Sequence, residues 1–347
     1  MTTTLRVEGG SAMARRIGIT AVLLMATLVS SIGFAQVASR KLCVFDPSGT
    51  RGDGYKFATR LQAEALAWGV RFELKAYTNE QVAAADFKTK QCDAALMTGT
   101  RGRAFVKSTA TLEALGALPS YALLKSAIGV LASAKAGPLV TSGAYETVAI
   151  IPGGAIYLLV ADRKIDTISE LAGKKIATLT HDQAARTMVD VVGASMVAAE
   201  VGTFAGIFNN GRSDAAYAPA NAFKPLELLK GIAKGGGIIR FPIAQMTFQV
   251  IVHKDRFAAD FGGKARAWSS RQFNEAAAVA KAAEAAVPAK YWIEIPAADK
   301  PGYANKFREV RVRLRGKGVY DARMLKLMRK IRCRAAPTAP ECKDKIE

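Results

Sequence analysis

Short apolar runs alternate with helical stripes from residue 42 onward, and that rhythm predicts a layered α/β fold. Leu42-Cys-Val-Phe-Asp46 is a compact apolar run, read as a buried strand. Pro47–Gly54 is loop-like, rich in Gly, Ser and Asp. Phe57, Leu61, Ala65 and Trp68 then recur at helical spacing, which predicts a helix over Lys56–Trp68 closed by Gly69. Along Val70–Tyr77 the apolar Val70, Phe72, Leu74 and Ala76 alternate with Arg71, Glu73, Lys75 and Tyr77, the period of a half-exposed strand. Thr78-Asn-Glu-Gln81 has the form of a capping box and opens a second helix. Asp93-Ala-Ala-Leu-Met97 is another buried strand, followed by a loop over Thr98–Gly102. Strand, helix, strand, helix, strand implies a parallel sheet.

The rhythm then repeats. Thr147–Ile151 and Ile156–Val160 read as two strands, and Lys175–Leu179, Ser195–Ala198 and Asp214–Tyr217 as three more. Helices fall over Gln183–Val192, stopped by Gly193, and Thr203–Asn209, stopped by Gly211. Phe248–His253 reads as a strand returning to the first unit, and Arg271–Val287 as a single Ala-rich helix. In the last stretch Arg311, Arg313 and Arg315 alternate with apolar residues, the look of a solvated strand face. Met324–Ile331 reads as an amphipathic helix.

The start of the chain changes the picture of where it works. Ala14-Arg15-Arg16 precedes a charge-free apolar run from Ile17 to Phe34, and Gly33-Phe34-Ala35 fits cleavage after Ala35. These are the three regions of a secretory signal peptide, so a periplasmic protein with no stable membrane insertion after cleavage is expected. The competing reading is an uncleaved anchor, because the run is close to spanning length. Export makes nucleic acid the least expected partner for a chain of formal charge +20, half of it apolar. Residues 301–347 carry fourteen Lys/Arg against five Asp/Glu, a basic segment whose simplest reading is a solvated cationic face. Four cysteines in an exported chain permit disulfides. Cys43 lies in the first strand and Cys92 just ahead of the third, which are commonly neighbours in a parallel sheet, while Cys333 and Cys342 flank a turn-prone loop. Four free thiols are the alternative. No Cys/His spacing suits zinc, so no metal or other cofactor is expected.

Catalytic motifs are absent. Gly49–Gly54 has phosphate-loop glycine spacing, but Tyr55 stands where that loop needs lysine. Asp182 beside His181 reads as a helix N-cap next to an exposed histidine. No catalytic residue is assigned, and the chain is read as not an enzyme. One repetition stands out: Gly-Thr-Arg-Gly occurs at 49–52 and again at 99–102, each copy just after a predicted parallel strand. Ligands of open α/β sheets bind beyond the carboxyl ends of the strands, and arginine offers a planar fork to an anion. Two ordinary polar turns are the competing reading.

Thr167-Ile-Ser-Glu-Leu-Ala-Gly-Lys-Lys-Ile-Ala177, Val192–Glu200, Ile207–Ala216 and Lys224–Glu227 through Met246–His253 together resemble the periplasmic solute-binding proteins of TRAP-type transporters, specifically their uncharacterised solute-binding relatives. The resemblance runs from Lys41 to about Tyr291. It implies an α/β, two-domain periplasmic-binding-protein-like (type II) fold, with parallel-rich sheets flanked by helices and joined by hinge strands. The expected division is 1–35 leader with upstream extension, 36–146 domain I, 147–246 domain II, 247–300 return to domain I, and 301–347 basic C-terminal extension. It further implies capture of a small, anionic or polar solute in the interdomain cleft, with transporter membrane subunits as partners. A binding-protein-like sensor or envelope interaction protein is the alternative. The arginine that such proteins place in the Lys-Ile-x segment is Ala177 here, which puts a dicarboxylate or sialic-acid-like solute in question. With the cleft placed at the strand ends, the expected ligand contacts are Ser48, Thr50, Arg51, Thr98, Thr100 and Arg101 from the first domain, and Tyr217, Asn221 and Gln245 from the second.

Overall fold

The computed structural model describes residues 1–6, 37–344 and 346–347. The expected signal peptide therefore lies outside the described residues, apart from its flanks. Two compact units are found, Met1–Val37 and Ala38–Glu347; the described part of the first has no regular secondary structure. All that follows concerns the second. Among the described residues no single helix is long and apolar enough to cross a membrane.

Strands β1 (Ala38–Phe45), β2 (Val70–Tyr77) and β3 (Ala94–Thr98) are parallel, in the order β2-β1-β3. Helices α1 (Asp53–Ala65) and α2 (Glu80–Lys88) make the two crossovers. Phe57 and Leu61 of α1 and Phe72 of β2 are wholly buried, as the helical and alternating stripes predict. The cap of α2 falls on Asn79 rather than Thr78: the Asn79 side chain accepts from the Gln81 and Val82 N–H groups. At the other end of the sheet β5 (Lys175–Leu179), β6 (Ser195–Ala199) and β7 (Ala215–Pro219) are again parallel, in the order β7-β5-β6. They are linked by α4 (Gln183–Val191) and α5 (Val201–Asn209), with α3 (Tyr121–Leu131) lying earlier in the chain.

Two long antiparallel strands join these halves. β4 spans Tyr145–Val160 without interruption, where two strands were expected. Pro152-Gly153-Gly154 looks like a break in sequence, but the chain passes it as a bulge, with Gly154 at φ +120°. After the short β8 (Gly237–Ile239), β9 (Ala244–His253) lies between β3 and β4, antiparallel to both. The first half of β4 and the second half of β9 belong to one end of the sheet. The second half of β4 pairs with β7 at the other. These two strands cross between the halves, and the α/β architecture is as expected.

Three expectations are corrected. The Ala-rich helix is two, α6 (Phe261–Arg271) and α7 (Phe273–Ala285), separated at Gln272. The basic stretch containing Arg311, Arg313 and Arg315 is no strand face but part of α8 (Lys300–Gly316). Tyr303, Phe307, Val310 and Leu314 make its buried stripe, and Met324, Leu325 and Met328 of α9 (Ala322–Ala335) pack into the same core. Arg311, Arg329 and Arg332 are buried rather than solvated. The four cysteines form two bridges, Cys43–Cys92 and Cys333–Cys342, with Cα–Cα distances of 5.9 and 5.6 Å.

Candidate functional site

The C-terminal ends of β1 and β3 face those of β5 and β7 across a cleft. At the end of β1, Asp46 turns its carboxylate back onto the following loop. It accepts from Ser48 N–H at 2.9 Å, Gly54 N–H at 2.9 Å and Tyr55 N–H at 3.4 Å. Burial raises its pKa against the pull of these bonds. The loop packs so closely that a Cβ on Gly52 would stand 1.8 Å from the Asp46 carboxylate, which explains the second glycine of the first Gly-Thr-Arg-Gly copy.

At the end of β3 the second copy forms a helical turn, Gly99–Gly102, whose N-cap Thr98 accepts from the Arg101 N–H. Two buried carboxylates hold it. Glu80 accepts from Thr98 N–H at 2.7 Å and stands 3.6 Å from Arg101 Nε. Glu113 accepts from Gly99 N–H at 3.0 Å and the Thr100 hydroxyl at 2.7 Å, then from the Thr247 N–H and hydroxyl at 2.7 and 2.8 Å on β9. Burial raises the pKa of both acids. Here too a Cβ on the first glycine would collide, 2.6 Å from the Glu113 carboxylate. The repeated motif is thus explained by carboxylates packed under glycines.

From the other half, Asp182 caps α4, accepting from Ala184 and Ala185 N–H at 3.0 Å each. The Tyr217 hydroxyl accepts from Leu179 N–H at 3.2 Å and donates to Asp182 at 3.3 Å. Arg101 Nη2 lies 3.1 Å from His181 Nδ1, a polar contact from one side of the cleft to the other. Burial, then the Arg101 charge, pushes the His181 pKa down to about 4, so the ring is neutral at pH 7. A guanidinium can only donate, so Nδ1 accepts and the ring proton sits on Nε2. That Nε2 is buried and has no partner. The expectation of an exposed histidine is therefore corrected, while the Asp182 cap is found.

The cleft encloses a cavity of about 270 Å³. Ser48, Arg51, Thr98, Thr100, Tyr217 and Asn221 line it, together with His181 and a largely apolar wall. Thr50 is exposed and Gln245 is buried in β9 opposite Ala155, and neither is among the lining residues. Arg101 lies beside an adjoining cavity of about 320 Å³ with Arg103, Lys107 and His181. Sequence reasoning passed over His181, Asp46 and Glu80. All three follow or adjoin the ends of parallel strands, the criterion that picked out the arginine loops.

Arg101 is not the arginine of an ordinary polar turn. Its side chain is only 15% exposed and is the cationic partner of Glu80. Arg101→Ala strands a buried carboxylate, and a loss of about 3 kcal/mol is expected in urea unfolding. Adding Glu80→Gln should restore part of it; a stability equal to wild type in the single variant would refute the pairing.

A family model for the solute-binding proteins AdeT 1/2 matches residues 65–347. The chain belongs to that family. The AdeT 1/2 match extends through the basic helices α8 and α9. Probable solute-binding protein AdeT1 of Acinetobacter baumannii is 39% identical over 299 residues, covering 86% of this chain and 98% of that protein. Probable solute-binding protein AdeT2 of the same organism is 28% identical over 198 residues, 57% of this chain and 83% of its own. Among solved structures, a TRAP periplasmic solute-binding protein from Ralstonia eutropha H16 with bound (S)-2-acetolactate superposes with a TM-score of 0.68 at 12% identity. It covers 85% of this chain and 99% of its own. One from Sulfitobacter sp. NAS-14.1 with bound β-D-galacturonate gives 0.67 at 11% identity, with 84% and 100% covered. The AdeT 1/2 chain thus has the TRAP binding-protein fold and is a solute-binding protein rather than an enzyme.

Proposed function

We propose that this protein works in the periplasm, where it captures a small anionic or polar solute between the two ends of its sheet for a TRAP-type membrane partner. The expected domains, 36–146 with 247–300 against 147–246, would close on the solute by bending β4 and β9. The observation that carries this reading is the cavity at the carboxyl ends of both sets of parallel strands, with Arg51 on its wall. The Arg51 guanidinium has no partner among the described residues, so it is available to an incoming anion. The acids bound by the fold relatives are consistent with it. Ser48, Thr98, Thr100, Tyr217 and Asn221 would add polar contacts; Thr50, Arg101 and Gln245 would act only from behind or beside them. Protein recovered from the periplasm should begin near Gln36.

The test is calorimetry against a panel of small organic acids, preceded by a thermal-shift screen, since a solute that binds only the folded state raises Tm. A charge-assisted contact is worth about 1.5–3 kcal/mol. Arg51→Ala should therefore weaken the best acid by roughly ten- to a hundred-fold, with Tm unchanged because the side chain is exposed. Unchanged affinity would remove Arg51 from the site.

A further inference from the structure

Helix N-termini facing a cleft are sockets for anions, because their first N–H groups are unpaired and the helix dipole is positive there. In this cleft the protein's own carboxylates already occupy three of them, while the Ala220–Phe223 turn, which also borders the cavity, has no side-chain cap. Asp46 takes Gly54 and Tyr55 at the start of α1. Asp182 takes Ala184 and Ala185 at the start of α4. Glu113 takes Gly99 at the start of the Gly99–Gly102 turn. The remaining acids are committed as well: Glu80 to Arg101 and Thr98, Asp53 to Lys56. Polar groups on the cavity wall that lack a side-chain partner are few. They include the Arg51 guanidinium, the Ser48 hydroxyl, the Asn221 amide and His181 Nε2. One of these is a cation. Much of the remaining wall is hydrocarbon and aromatic, with Phe45, Ile156, Val201, Phe204, Met246 and Phe248. A second cavity of about 80 Å³, mostly aliphatic but with Arg103, Glu113 and Asp182 on its wall, shares Ile156 and Tyr217 with the first and extends the apolar space.

We infer that the solute is amphipathic, with one anionic group for Arg51 and an aromatic or branched apolar body for the walls, and that dicarboxylates and sugar acids are poor ligands. The inference rests on the cleft reading above and narrows its ligand class. Within the main cavity a second carboxylate finds no cation besides Arg51 and stands among the Asp46, Glu80 and Asp182 carboxylates, which repel it. A polyhydroxylated solute gives up its water without gaining enough hydrogen-bonding partners on an apolar wall.

Calorimetry on the full chain with five probes tests this: phenylacetate, 4-methylpentanoate, phenylacetamide, succinate and galacturonate. Phenylacetate and 4-methylpentanoate should each bind at least about tenfold tighter than succinate or galacturonate. Phenylacetamide, which keeps the body and loses the charge, should bind roughly ten- to a hundred-fold weaker than phenylacetate. Phe204→Ala should weaken phenylacetate at least as strongly as succinate; because Phe204 is buried, Arg51→Ala serves as the exposed variant whose folding is not at issue. Tighter binding of succinate or galacturonate overturns this inference and leaves solute capture in the cleft standing. Equal binding of phenylacetamide and phenylacetate overturns the single-anion assignment. Binding of none of the five overturns both readings.

Discussion

Replacing Arg332 with alanine should lower the unfolding free energy by about 3–5 kcal/mol, the cost of breaking a buried ion pair. Arg332 of α9 is bidentate to Glu341, at 2.7 and 2.6 Å, and reaches Glu347 at 2.7 Å. Its third nitrogen donates to Ala117 O at 2.8 Å. Arg311 of α8 shares Glu347 and donates to Leu115 O at 2.7 Å. The Glu347 side chain is wholly buried, so each lost cation leaves it less compensated. Urea unfolding of wild type and variant measures the loss, and a difference below about 1 kcal/mol would show the cluster to be incidental. The same cluster sets an acid limit. Burial acts to raise Glu341, but the Arg332 hydrogen bond and charge outweigh it and hold its pKa below the usual 4.5. A depressed carboxylate contributes its stability in full above the unfolded value and loses it as pH falls through the folded one. The Arg332→Ala deficit should therefore shrink below pH 4.5.

The second large effect is expected from the Cys43–Cys92 bridge, which closes a loop across a separation of 49 residues. Loop-closure entropy puts its contribution at about 4 kcal/mol, against roughly 2–3 for the shorter Cys333–Cys342 loop. Cys43→Ala with Cys92→Ala removes it without burying a new polar group, since both cysteines sit in an apolar cluster with Phe87, Met97 and Ile251. Urea midpoints of oxidised wild type and the double variant should separate accordingly. Non-reducing peptide mapping that returned four free thiols would refute both bridges.

Much of this fold was legible because its strands are short, apolar and bounded by turn residues. Leu42–Asp46, Val70–Tyr77 and Lys175–Leu179 announce themselves in that way. Where reading failed, two patterns overlapped. Arg311, Arg313 and Arg315 alternate like a strand, yet Tyr303, Phe307, Val310 and Leu314 trace a helical stripe through the same residues. Burial of the arginines was invisible, because their partners Glu341 and Glu347 come from a later turn of chain. The site was half legible for a similar reason. The position of the Gly-Thr-Arg-Gly loops follows from strand order, but which arginine is left without a partner depends on Glu80, a residue remote in sequence from Arg101. His181 stands just past the end of a readable strand, but its contact with Arg101 across the cleft could not be read from the sequence.

The placement of β9 also orders events in time. Its hydrogen bonds complete β3 on one side and β4 on the other, although it follows β3 by nearly 150 residues. It also supplies Thr247, two of the donors that satisfy the buried Glu113. Until residues 244–253 have been made, β3 and the first half of β4 remain open sheet edges, and open edges pair readily with other chains. The half of the sheet that holds β1 to β3 cannot be finished vectorially, N-terminus first; β9 closes it.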